Sequence, residues 1–273
     1  MLSFLAHLDA VELASFFLLI FKPIGCAFTK GSLEHTKEGY PWEIVIKDVV
    51  HSNFIECVDL QNIHKLSYKK KSGFLHMVKD ILESFGRDQV TPYMHALLAF
   101  CFRILQSCKI STGVNVGTST PEFTTTSGAK DLRTLSFKVL SAVLSKYDEL
   151  DFPPVYWDIF FGIARPMIIK LKEEAASSDG PSALFSCLLA MSRSIYLVPI
   201  LEREEELVPN MLPLLSNKNA SASIVSAALS FIENILELEA EDMNVASSIL
   251  LPHMTTLILN MKALLSTQRK FTR

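Results

Sequence analysis

Four times the chain places proline, then Met or Ile two residues on, then leucine five residues on. The copies are Pro92-x-Met94-x-x-Leu97, Pro166-x-Ile168-x-x-Leu171, Pro209-x-Met211-x-x-Leu214 and Pro252-x-Met254-x-x-Leu257. Pro166, Pro209 and Pro252 are spaced by 43 and 43 residues; Pro92 precedes Pro166 by 74, much of it filled by a Ser/Thr/Gly-rich insertion. A fixed period in this range marks stacked helical hairpins of the HEAT or armadillo kind, because one hairpin cannot bury its apolar face alone. The predicted fold class is all-α, an α-solenoid of antiparallel helical hairpins. Such an array is usually a surface for holding partners.

Hydrophobic residues make up 49% of the chain and charged residues 20%, enough for a core and a solvated exterior. The net charge of −3 and pI near 6.2 give no global basic field for nucleic acid, so any RNA contact must come from local patches. The five cysteines (26, 57, 101, 108 and 187) form no Cys-x-x-Cys pair and have no zinc spacing, which reads as buried, reduced thiols of an intracellular protein. The most apolar stretch, Leu13 to Phe28, is interrupted by Lys22 and Pro23 and follows Asp9 and Glu12. It falls short of the ~20 apolar residues of a spanning helix and lacks the charge of a signal peptide, so a buried helix is expected and no membrane role. The sequon Asn219-Ala220-Ser221 carries no weight without secretion.

Apolar residues recur at helical spacing through Phe74, Met77, Val78, Ile81, Leu82 and Phe85, ending at Gly86. A second stripe runs through Met94, Leu97, Leu98, Cys101, Leu105 and Cys108, with Thr91 as expected N-cap and Pro92 as first helical residue. Lys109 to Lys130 offers little to bury and is expected to be a flexible insertion. Helical spacing resumes from Leu132 to Tyr147. A further helix is expected from Pro153-Pro154 to about Glu174, kinked at Pro166. Ser177 to Pro181 reads as a turn. Helices then follow near Ser182 to Ser194 and Pro209 to Leu215, around Ile224 to Ile235, and from Leu250 to Leu265. Residues 29–66 are harder to place, and Trp42 to Val50 reads as a short helix rather than a strand. The expected organisation is an N-terminal helical segment over 1–66 and helical repeats over 67–273, with the insertion at about 109–130. The helix at Pro252 has no following partner, so an uncovered apolar face is expected there, as in a fragment or beneath a covering partner.

Catalytic signatures are missing from the sequence: it has no Gly-x-Gly-x-x-Gly, phosphate-binding loop, His-Glu-x-x-His or Gly-x-Ser-x-Gly. His95 and His253 read as surface or packing residues. Asp148, Glu149 and Asp151 read as a solvated turn. No catalytic, cofactor-binding or metal site is expected, and no small-molecule substrate. Glu202, Glu204, Glu205 and Glu206, with Glu233, Glu237, Glu239, Glu241 and Asp242, make one region acidic and are expected on solvated faces. Two basic clusters, Lys69-Lys70-Lys71 after Tyr68 and Lys262, Arg269, Lys270 and Arg273, are candidate contacts for RNA phosphates or a protein partner.

The segment Lys130-Asp131-Leu132-Arg133-Thr134-Leu135, with Ser136 to Leu140 and Lys146-Tyr147, resembles the "down-regulated in metastasis" family, component 20 of the small-subunit processome. So does Tyr156-Trp157-Asp158-Ile159-Phe160-Phe161 with Arg165-Pro166. Pro92 to Cys108 and Leu250-Leu251-Pro252-His253 are similar to elements of the same family. The resemblance implies a piece of a much larger nucleolar HEAT-repeat scaffold. Its partners would be processome assembly proteins and precursor ribosomal or small nucleolar RNA, and it implies no catalytic residues and no cofactor. The competing readings are a transport- or coat-type α-solenoid adaptor held by protein contacts alone, and an all-α enzyme, which would need a polar pocket of convergent carboxylates or metal ligands.

Overall fold

The computed structural model describes residues 5–27, 54–108, 127–150, 152–240 and 248–266, and every regular element among them is helical. They divide into two compact units, Met1–Phe160 and Phe161–Arg273. The expected segment Trp42 to Val50, and residues 109–126 of the expected insertion, lie outside the described residues.

In the first unit, α1 (Ala14–Phe21) and a 3-10 turn (Lys22–Ala27) are followed by α2 (Leu60–Lys65), α3 (Tyr68–Ser84), α4 (Arg87–Ser107) and α5 (Ser127–Lys146). Helices α3, α4 and α5 pack on one another, and α2 packs on α4. The N-terminal segment joins this core. Phe17 stacks on Tyr93 with ring centroids 3.8 Å apart, the Tyr93 hydroxyl donates to the Ala10 carbonyl, and Gln89 Nε2 donates to the Ala6 carbonyl at 3.1 Å. Residues on both sides of position 66 therefore belong to one packed unit.

Helix α4 starts earlier than its sequence signals imply. Gly86 is the N-cap, and Pro92 lies inside the helix rather than at its first position. The Gln89 side chain sets this start. Its Oε1 accepts the Gly86 N–H at 2.8 Å, while its amide nitrogen ties the first turn to the N-terminal segment. Pro92 costs one backbone bond within the helix, and burial of Val90, Tyr93 and Met94 around it offsets the loss. Helix α5 likewise begins before Leu132, at Ser127, so part of the expected insertion is helical.

Helix α6 (Pro154–Ile168) ends two residues after Pro166, and a separate α7 (Leu171–Ala176) follows, so the expected kink is a break. The second unit continues with α8 (Ala183–Met191), α9 (Val198–Leu201), α10 (Leu207–Met211), α11 (Pro213–Ser216), α12 (Ala222–Ala240) and α13 (Met254–Ser266). The three evenly spaced motif copies all fall where one helical piece gives way to another: α6 to α7, α10 to α11, and the 3-10 turn Leu251–His253 to α13. In each the proline is exposed and the leucine five residues on is buried. These junctions stack: α7 packs on α10 and α11, and α11 packs on α13.

Side-chain bonds link the same succession. Asn217 Nδ2 donates to the Lys172 carbonyl across 45 positions and Ser216 Oγ to Asn260 Oδ1 across 44; a third bond, Asn234 Nδ2 to Ser192 Oγ across 42, joins α12 to the end of α8 instead. On α13 only Leu257 and Leu264 are buried. Leu251, Ile258 and Leu265, seven residues apart, and Leu259 are between 59% and 73% exposed, which leaves one apolar face bare.

Tyr156 in α6 carries a fold-level prediction. Its ring meets Phe102 edge-on at 4.7 Å, and its buried hydroxyl has no hydrogen-bond partner among the described residues. Burial also pushes the phenol above its ordinary value of 10.0. Tyr156→Phe is expected to stabilise the chain by about 1 kcal/mol, because an unmatched buried hydroxyl is removed with little change of shape. In the unfolded chain the phenol ionises near pH 10, whereas the fold keeps it neutral to higher pH. Its contribution is intact below that pH and is lost as pH rises further. The advantage of the Phe variant in urea denaturation should therefore widen above pH 10; equal stability of the two proteins at every pH would contradict this.

Candidate nucleic-acid interface

The basic cluster predicted at 69–71 lies in the first turn of α3, immediately after α2. Asp59 caps α2 by accepting the Gln61 N–H at 2.9 Å, and Ser67 caps α3 by accepting the Lys70 N–H at 3.4 Å. Two caps eight residues apart fold the chain into a tight corner. An open groove of about 300 Å³ runs along it, lined by Asn62, Lys65, Leu66, Ser67 and Lys70. Lys65 Nζ donates to Asn62 Oδ1 at 3.2 Å, and Lys70 Nζ reaches the Pro23 carbonyl at 3.4 Å. Lys65, Lys69 and Lys70 are exposed.

Lys71 departs from its neighbours. It is 8% exposed, and its ammonium donates to Ser107 Oγ at 3.4 Å. Arg133, also buried, donates from Nη1 to the Cys108 carbonyl at 3.3 Å. Both cations thus sit at the C-terminal end of α4, where the helix dipole is negative and cations are favoured. Burial lowers the Lys71 pKa, and the nearby Cys108 thiol opposes that shift. Burial raises the Cys108 thiol, opposed by the Ser107 hydrogen bond and by the two cations. Lys71 is therefore a helix-end partner inside the fold, and the surface lysines are 65, 69 and 70.

Tyr68, which follows Ser67 of the groove lining in the chain, has 49% of its surface exposed. Its ring lies against the backbone at Gly128, where a Cβ would come within 3.0 Å of Cδ2 and 3.3 Å of Cε2. Gly128 thus leaves room for the Cδ2–Cε2 edge of the ring beside the start of α5.

The second basic cluster is only partly visible. Lys262 is exposed on α13 in the second unit, and Arg269, Lys270 and Arg273 lie outside the described residues. Of the acidic cluster after α5, Glu149 pairs with Arg87 at 2.9 Å on the surface. The acidic run at 202–206 contains an exception to the solvated face expected of it. Glu204 is 3% exposed, and both its carboxylate oxygens accept from Arg165 Nε, at 3.1 and 3.0 Å. The periodicity carries the signal: Leu197, Leu201, Glu204, Leu207 and Met211 share one buried face at helical spacing. Lys65 had no comparable signal, since the α2–α3 corner alone brings it beside Lys70.

Among the described residues no group of three or more His, Cys, Asp or Glu side chains could hold a metal ion. No described helix is long and apolar enough to cross a membrane.

These features define the class: a protein whose described residues fold into packed helices, with a groove lined by Lys65 and Lys70 and an exposed tyrosine next to Ser67 in the chain. A family model described as "U3 small nucleolar RNA-associated protein 20, N-terminal" matches residues 1–273. The chain belongs to this family, that of component 20 of the small-subunit processome, and so to the proteins of ribosome biogenesis.

Proposed function

We propose that the chain is a non-catalytic scaffold segment of a ribosome-biogenesis factor, an α-solenoid of HEAT-like helical pairs. It acts in the nucleolus and holds assembly proteins and precursor ribosomal or small nucleolar RNA. The observation that carries this reading is the family match over the whole chain. The solenoid is supported by the stacking of motif junctions and by side-chain bonds spanning 42 to 45 residues, close to the 43-residue repeat. RNA contact is supported by Lys65, Lys69 and Lys70. None of the three pairs with a carboxylate among the described residues, and Lys69 and Lys70 occupy the positive end of a helix dipole, where cations are disfavoured. The helix dipole does not favour either lysine there; Lys70 also bonds the Pro23 carbonyl, and a polyanion would offset the dipole at both.

The test is the salt dependence of RNA binding by the purified chain. Each phosphate neutralised on a single strand contributes about −0.7 to the slope of log K against log salt, so three lysines give a slope of about −2. Lys69→Ala or Lys70→Ala should each weaken binding and reduce the slope by about 0.7. Lys71→Met should leave it unchanged, because that ammonium faces the end of α4. Absent or salt-independent binding would favour an adaptor with no RNA role.

A further inference from the structure

The groove and its aromatic edge together specify the kind of RNA. We propose that the corner formed by Lys65, Tyr68, Lys69 and Lys70 is a site for unpaired RNA, in which one base stacks on the exposed Tyr68 ring while the lysines hold the flanking phosphates. This rests on the RNA-binding reading above and narrows it to single strands.

Three observations converge. Tyr68 is the one aromatic residue of the corner, and it is 49% exposed although the helix it begins buries Phe74, Leu75, Val78, Ile81 and Leu82. Its ring is nevertheless held, because the missing side chain at Gly128 lets it lie against the start of α5. A partly exposed ring already held at one edge loses little freedom when a base stacks on it. Finally, the lysines are arranged around it. Tyr68, Lys69 and Lys70 follow one another around the first turn of α3, within about 3 Å along its axis, and Lys65 and Lys70 line the adjoining groove.

Aromatic platforms set among basic residues bind single strands with little sequence preference, because every base has a π-face. In a duplex the bases are already stacked on their neighbours and cannot reach the ring. A phosphate site alone would hold the more densely charged duplex at least as tightly as the single strand.

The experiment compares binding of the whole chain to a uridine oligonucleotide of about 15 residues, long enough to cover one such site, and to an RNA duplex of the same length. Tyr68→Leu keeps an apolar side chain against Gly128 and removes the stacking face. It should weaken single-strand binding roughly tenfold and leave duplex binding and the circular dichroism spectrum unchanged. Tyr68→Phe should bind as the parent does, and Gly128→Ala, which displaces the ring, should behave like Tyr68→Leu. An unchanged single-strand affinity in Tyr68→Leu, or an equal loss for both RNAs, overturns the stacking site and leaves the RNA-scaffold reading standing. A parent chain that binds neither RNA overturns both. Binding of a poly-glutamate peptide as tight as that of the oligonucleotide, and indifferent to Tyr68, would assign the corner to acidic protein segments and also overturn the site.

Discussion

Arg165→Ala is expected to lower the unfolding free energy by about 3 kcal/mol, the low end of the cost of orphaning a buried charge. Glu204 is almost wholly buried, and Arg165 Nε is the donor its two carboxylate oxygens share. Water solvates the other side of the guanidinium, since the Arg165 side chain is 56% exposed, and this keeps the effect from being larger. The pair is asymmetric. Glu204→Met leaves behind an arginine that water can solvate, and should cost less than about 1 kcal/mol. The double variant Arg165→Met/Glu204→Met should recover most of the loss, because two apolar side chains replace a buried pair without leaving an unpaired charge. Urea denaturation followed by circular dichroism measures all three. An Arg165→Ala protein within about 0.5 kcal/mol of the parent, the range of an ordinary surface substitution, would show that Glu204 is solvated.

Phe17→Ala is the second large effect, at about 3 to 5 kcal/mol, the range for truncating a fully buried phenylalanine. Phe17 is 0% exposed. Its stack on Tyr93 is the centre of the contact between the N-terminal segment and α4, reinforced by the bonds of Tyr93 and Gln89 to the same segment. The loss should appear in thermal unfolding together with earlier proteolytic cleavage within residues 5–27. Unchanged cleavage there would mean that the segment is held by something other than this stack.

Much of the helical framework was legible because it rests on periodicity, which is local. The stripes of α3, α4 and α5 and the last helix all read directly from apolar spacing, and the repeat at 166, 209 and 252 marked the junctions that stack. Among the described residues Leu251, Ile258 and Leu265 are exposed, the apolar face expected at the fourth copy. What the sequence concealed depends on contacts between distant residues. Pro92 lies inside α4 because Gln89 caps Gly86 and starts the helix at Arg87, and the same side chain is tied to the N-terminal segment more than eighty positions away. Lys71 looks like its neighbours in a run of three, yet at 100° per residue it points to the end of α4 instead of to solvent. Glu204 was hidden inside a run of glutamates whose average character is exposed. Lys65 joined the candidate site only through the corner between α2 and α3.

The most direct test of the RNA-scaffold reading is ultraviolet cross-linking of the whole protein in cells, followed by sequencing of the attached RNA and mapping of the cross-linked residue. The predicted result is precursor small-subunit ribosomal RNA or U3 RNA attached at the α2–α3 corner, with unpaired nucleotides at the cross-link and loss of that cross-link in Tyr68→Leu. Processome proteins recovered with the chain while cross-linked RNA stays at background would contradict it.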